Sequence, residues 1–164
     1  MSCLAQENYS IEVLTGKTSL ALFGDGIGLQ KQAYDAFIKM KAEAEKQGIE
    51  IQVVSGHRDF SRQKSIWNRK YKAYTAQGMS PVEAMDKIIE YSTYPGTSRH
   101  HWGTDIDIID AAATYSGNVL VPEKYEGDGP FCKLKEWMDE NAQKFGFYLV
   151  YTDNPDRKGF YYEP

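Results

Sequence analysis

The sequence predicts an α+β fold in which helices pack on a small antiparallel sheet. Three observations carry that prediction. Apolar residues recur at three- and four-residue steps through several long stretches, which is the period of a helix buried on one face. Two short runs alternate apolar and polar residues instead, the period of a strand. Glycine and proline sit at the junctions between them. With 164 residues and 41% hydrophobic content, the chain suits one domain with a real core, its first 27 residues forming a peripheral segment.

In order, residues 1–28 are polar and glycine-punctuated apart from the patch Leu20-Ala-Leu-Phe23. A helix is expected from Gly28, with Leu29, Ala33, Ala36, Phe37, Met40 and Ala44 on one face and Gly48 as its stop. Ile49 to Ser55 reads as a strand that runs into the turn Ser55-Gly-His-Arg58. A second helix is expected over Ser61 to Ala76. Ser80-Pro-Val-Glu83 then combines a capping box with proline at the first helical position, and Val82, Met85 and Ile89 should be that helix's buried stripe.

Thr104 to Ile109 alternates again, which puts Asp105 and Asp107 on one strand face and sends Ile106 and Ile108 to the core. Residues 110–130 read as a surface loop, and Phe131 to Phe145 as a helix closed by Gly146. Phe147 to Tyr151 and Gly159 to Tyr162 read as two further strands. Trp67 and Trp137 are expected in the core.

Composition narrows the function. A net charge of −4 does not suit a nucleic-acid-binding surface. Two cysteines, Cys3 and Cys132, cannot form a disulfide framework, and neither has a metal-ligand neighbour. No apolar run approaches membrane-spanning length. Met1 to Gln6 lacks the basic region and apolar stretch of an export signal. We read it as an ordinary chain start; the alternative is a trimmed leader with Cys3 as a lipidation site.

The chemistry concentrates between Tyr94 and Asp110, where two histidines, His100 and His101, accompany three carboxylates, Asp105, Asp107 and Asp110. Imidazole nitrogen and carboxylate oxygen are donors that zinc favours, so this stretch is expected to supply two zinc ligands. Arg58, just past a strand end on a glycine-flanked turn, is well placed to point into a cleft.

Ser98-Arg-His100-His-Trp-Gly103-Thr-Asp-Ile-Asp107 resembles the Ser-x-His-x-x-Gly-x-x-x-Asp zinc signature of D-alanyl-D-alanine carboxypeptidases like VanY and VanX. Ser55-Gly-His-Arg58 with Gln63 downstream resembles the family's Ser-Gly-Tyr-Arg motif and its glutamine. Tyr162-Glu163-Pro164 resembles the start of its Glu-Pro-Trp-His motif. The resemblance covers about the last two-thirds of the chain. It implies the fold shared by these enzymes, lysostaphin-type peptidases and the hedgehog domain.

Residue by residue, the resemblance implies that His100 and Asp107 bind Zn2+. It implies that Arg58 neutralises the carbonyl oxygen as it turns negative, and that Glu163 is the base acting on the metal-bound water. Ser98, Gln63 and Arg58 would line the substrate pocket. The implied activity is carboxypeptidase cleavage of peptidoglycan stem peptides by a monomer in the periplasm or cell envelope. Peptidoglycan L,D-carboxypeptidase or endopeptidase activity on the same site is the alternative, as is a metal-free cell-wall-binding module.

Two departures matter. Asp105 stands where the family commonly has a small residue, which suits a support to the metal or its histidine. The family's third ligand is the histidine after Glu-Pro-Trp, and no histidine follows His101 in this sequence. The favoured reading is that the natural chain continues past Pro164; alternatively His57 or His101 substitutes, or the protein only binds. With two protein ligands, a chain ending at Pro164 is expected to be metal-poor or inactive.

Overall fold

A computed structural model of the chain describes residues 9–151. A short helix, α1 (Ile11–Leu14), leads to α2 (Lys31–Glu45), β1 (Ile51–Ser55), α3 (Phe60–Ala76) and α4 (Pro81–Ile89). A 3-10 turn at Arg99–Trp102 precedes β2 (Asp107–Asp110), and α5 (Cys132–Asn141) runs into a further 3-10 turn at Ala142–Phe145. The expected α+β architecture of helices on a small antiparallel sheet is what is found.

Among the described residues the sheet is β1 paired antiparallel with β2, Ile51 opposite Asp110 and Ser55 opposite Asp107. The register slips between Val53 and Ser55, a bulge at the β1 end. Bulges bend a strand and re-aim the residues beyond it. Here it precedes the turn that carries Arg58, opposite the strand end that carries Asp107.

The core forms where α2 and α5 meet this two-stranded sheet. Leu29, Phe37, Met40 and Ala44 meet Ile49, Ile51, Ile109, Phe131, Leu134 and Trp137, all buried. The α2 face expected from its spacing is thus the buried one. At the end of β2, Asp110 is also buried, its carboxylate accepting from the Glu50 and Ala112 backbone N–H groups at 2.9 and 3.0 Å. It is a structural anchor rather than a ligand.

Several expectations need correction. In α4 the capping box forms as predicted, but the buried positions are Ala84 and Ile88, and Val82 is 61% exposed. The helix packs against α3, and its buried positions are an i, i+4 pair rather than the stripe the sequence implied. β2 begins at Asp107, so Asp105 lies in the approach to the strand rather than within it. Phe147 to Tyr151 carries no strand among the described residues. Gly159 to Tyr162 falls outside the described residues. Trp67 stacks on half-exposed Tyr94, ring centres 4.3 Å apart, instead of entering the core.

The segment before α2 is closely fitted to the two loops that build the site. The Ile27 carbonyl accepts from the His57 N–H at 3.3 Å, and the Gly16 carbonyl from the Phe60 N–H at 2.8 Å. At Gly56 the Ile27 carbonyl oxygen occupies the space a Cβ would need. Gly56→Ala therefore forces two backbones apart, and we expect a stability loss of about 3 kcal/mol, read by urea unfolding. A loss below about 1 kcal/mol would show that the backbone at Ile27 can yield.

Candidate metal centre and active site

The 3-10 turn at Arg99–Trp102 is fixed through its carbonyls. That of His100 accepts from the Arg58 N–H at 3.1 Å, and that of Gly103 from the Gln30 N–H at 2.7 Å. The Gln30 side chain reaches the Trp102 carbonyl at 2.6 Å. Gly103 adopts φ of +63°, with the Leu22 side chain where a Cβ would stand, so the chain can reverse there only as glycine. The Trp102 indole N–H donates to the Leu14 carbonyl at 3.1 Å, and the Arg99 guanidinium lies over its ring at 5.0 Å.

His100 is 6% exposed. Its Nδ1 lies 3.2 Å from the Asp105 carbonyl oxygen, an acceptor only, so Nδ1 is the donor and Nε2 is turned towards the carboxylates. Nε2 faces Asp107 Oδ2 at 3.4 Å and Asp105 Oδ2 at 3.8 Å. Imidazole nitrogen and carboxylate oxygen are both donors that zinc favours, and together they fit a cation between them. The Nδ1 bond to a carbonyl is the usual arrangement that orients a metal-binding histidine. Asp105 is itself held by Arg99, whose Nε donates to Oδ1 at 3.4 Å.

His101, next in sequence, is fully buried and fully used. Its Nδ1 donates to the Arg58 carbonyl at 2.6 Å, and its Nε2 accepts from the Gly96 N–H at 3.1 Å. It ties the Arg58 turn to the Tyr94–Gly96 turn and has no lone pair left for a metal. The idea that His101 substitutes as a third ligand is therefore overturned. His57 leaves its buried Nε2 without a hydrogen-bond partner among the described residues, and burial pushes its imidazole below the ordinary histidine range. Neither histidine joins His100 in a three-residue metal group among the described residues.

Arg58 stands beside this pair. Burial is the largest influence on its guanidinium, lowering it from its usual value, while Asp107 pulls the other way. An arginine remains charged through such shifts. Its Nε is buried without a hydrogen-bond partner among the described residues, so a donor is held in reserve for a ligand.

The expected pocket residues divide. Ser98, 2% exposed, precedes the 3-10 turn in extended conformation, and its side chain makes no capping bond. Gln63 is fully buried on the first turn of α3, not solvent-facing. Its amide N–H group donates to the Thr93 carbonyl at 2.8 Å and lies 3.3 Å from Ser92 Oγ, while Oε1 has no partner among the described residues. Glu163 falls outside the described residues. A groove of about 420 Å³ opens from Arg99, Asp105 and Asp107 towards Met138, Tyr148 and Tyr151.

The structure thus brings His100, Asp107 and Arg58 together. Nothing in the sequence points to Gln30, which clamps the metal turn although it lies 72 positions from Trp102.

Comparison with known proteins agrees with this geometry. Residues 26–164 match the family described as VanY, D-alanyl-D-alanine carboxypeptidase. The chain is similar to the D-alanyl-D-alanine carboxypeptidase of Enterococcus faecalis, 29% identical over 136 residues, which cover 82% of this chain and 43% of that protein. It therefore spans less than half the length of that relative. In structure it is similar to a vancomycin resistance D,D-pentapeptidase VanY variant in complex with Zn(II), with a TM-score of 0.63 and 23% identity. That likeness covers 83% of this chain and 68% of the other. The LdcB LD-carboxypeptidase is also similar, with a TM-score of 0.60 and 27% identity over 88% of this chain and 60% of that one. A match running from Gly26 to Pro164 takes in both motif turns and the paired strands, and the chain belongs to the VanY family of D-alanyl-D-alanine carboxypeptidases.

Proposed function

We propose that this chain is a zinc-dependent carboxypeptidase that removes the terminal D-alanine from peptidoglycan stem peptides. The observation that carries the reading is His100 Nε2 facing Asp107 Oδ2 at 3.4 Å, with Arg58 alongside. His100 and Asp107 would hold the ion, with Asp105 adding negative charge next to it. Bound there, zinc would polarise the scissile carbonyl and acidify a water molecule.

The residues then have distinct tasks. Arg58 meets the carbonyl oxygen as negative charge grows on it, which is where a fixed guanidinium lowers a barrier most. Glu163 takes the proton from the attacking water and delivers it to the departing amine. Ser98 and Gln63 shape the pocket for the peptide. Such a substrate places the enzyme's work in the periplasm or cell envelope. Among the described residues no helix is long and apolar enough to cross a membrane.

A second reading, L,D-carboxypeptidase activity on the tetrapeptide stem, draws support from the likeness to LdcB. Both readings require the metal. Chelation should abolish stem-peptide hydrolysis and added zinc should restore it. Hydrolysis that persists at full rate after zinc is removed would defeat the proposal.

A further inference from the structure

The short helix α1 buries no side chain, and Ile11 at its start is 74% exposed, so it adds nothing to the core. It packs instead against the 3-10 turn at Arg99–Trp102. The N–H groups of Leu14, Thr15, Gly16 and Lys17 all donate back into α1 and its cap, at 2.8 to 3.1 Å. The end of the helix is thus tied into its own turn, and its carbonyls face other chain.

Three consecutive residues there reach the three turns that build the site. The Leu14 carbonyl accepts from the Trp102 indole N–H at 3.1 Å, at the end of the turn that carries His100. Thr15 Cβ lies 3.6 Å from where a Cβ on Gly96 would stand, in the Tyr94–Gly96 turn. The Gly16 carbonyl accepts from the Phe60 N–H at 2.8 Å, two residues after Arg58. Gly16 is itself buried against the His101 ring. A Cβ on it would stand 2.5 Å from Nδ1, the atom that holds the Arg58 carbonyl. With φ of +69°, glycine alone takes this position without strain.

The turns have need of such support. His100 sits on four residues of 3-10 helix, whose hydrogen bonds are poorly aligned, and Ser98 gives that turn no side-chain cap. A metal ligand and an oxyanion donor on separate loops work together only if both are held to within about 0.5 Å. Leu14 to Gly16 joins the loop of one to the loop of the other. It lies before residue 26, where the family match begins.

We propose that Leu14-Thr-Gly16 is a positioning element of the metal centre, a bridge that fixes the His100 turn against the Arg58 turn. It acts through Trp102 and His101, not on the ion or the peptide. The inference rests on the reading of His100 and Asp107 as zinc ligands.

The test is the zinc affinity of the full chain, by competition with a chromophoric chelator, alongside a thermal melt. Gly16→Ala drives a methyl group into the His101 ring and should weaken zinc binding about 10-fold or more, the scale for losing support to a metal ligand. Trp102→Phe keeps an aromatic ring for Arg99 but loses the indole N–H, and should weaken it about 3-fold. Gly48→Ala is the control, at the opposite end of β1 from Arg58. Gly48 has φ of +72°, but a Cβ there meets only Lys133 Nζ, at 3.6 Å. That variant should lower the melting temperature and leave zinc affinity unchanged. Zinc affinities of Gly16→Ala and Trp102→Phe no weaker than that of Gly48→Ala would overturn the proposal. Where Gly16→Ala does not fold, wild-type affinity in Trp102→Phe overturns it alone. Failure of the zinc reading looks different: the wild-type protein would bind zinc no better than His100→Ala, and the bridge would fall with it. Failure of the carboxypeptidase reading would leave the zinc affinities as predicted, with no amino acid released.

Discussion

Asp107→Ala is expected to weaken zinc binding by on the order of 100-fold or more and to leave no measurable peptide hydrolysis. Groups that only orient a metal ligand already cost 10- to 100-fold when removed, on the scale of about 1 to 3 kcal/mol. Asp107 faces His100 Nε2 directly, and its loss takes away one of two facing donors. It opens β2, half-buried, so the core beneath it, where Ile109 packs, keeps its contacts. Competition with a chromophoric chelator reads the affinity, and a thermal melt checks the fold. Unchanged zinc affinity in a folded Asp107→Ala protein would remove this residue from the metal site.

Arg58→Ala should lower kcat/KM by about 10²- to 10³-fold, the usual scale for losing one donor to a developing oxyanion. Zinc affinity should change little, because the guanidinium neighbours Asp107 without being a donor to metal. Arg58→Lys should recover only part of the loss, since an ammonium cannot reproduce the planar fork. The backbone of Arg58 is independent of these effects. Its N–H donates to the His100 carbonyl, and its carbonyl accepts from His101, so the turn is held whichever side chain it carries. Full activity in Arg58→Ala would send the oxyanion role elsewhere.

Much of this is legible in the order of residues alone. The α2 spacing identifies its buried face because the apolar positions there meet the same sheet. The Ser80 capping box marks a helix start, since that signal is local and needs no tertiary partner. His100 and Asp107 stand out by motif, and their approach to 3.4 Å agrees with that selection.

The features that sequence hides depend on distant chain. Two adjacent histidines look alike in sequence; only the Arg58 carbonyl and the Gly96 N–H, reached through folding, make His101 structural, while His100 turns its Nε2 to the carboxylates. The burial of Gln63 is invisible in sequence because its partners, Ser92 and Thr93, lie about 30 positions away. Val82 reads as buried because a nine-residue helix offers too few turns to fix its rotation. Phe147 to Tyr151 has a strand's composition, but composition reports how a residue fits a pleated surface and does not by itself make a strand.

The most direct measurement of the central claim is product analysis of zinc-loaded protein incubated with pentapeptide and tetrapeptide stems. The terminal D-alanine should be released from the pentapeptide, with the rest of the stem intact. Release from the tetrapeptide alone would shift the assignment to L,D-carboxypeptidase. No release from either stem by zinc-loaded, folded protein would contradict the assignment of this chain as a carboxypeptidase.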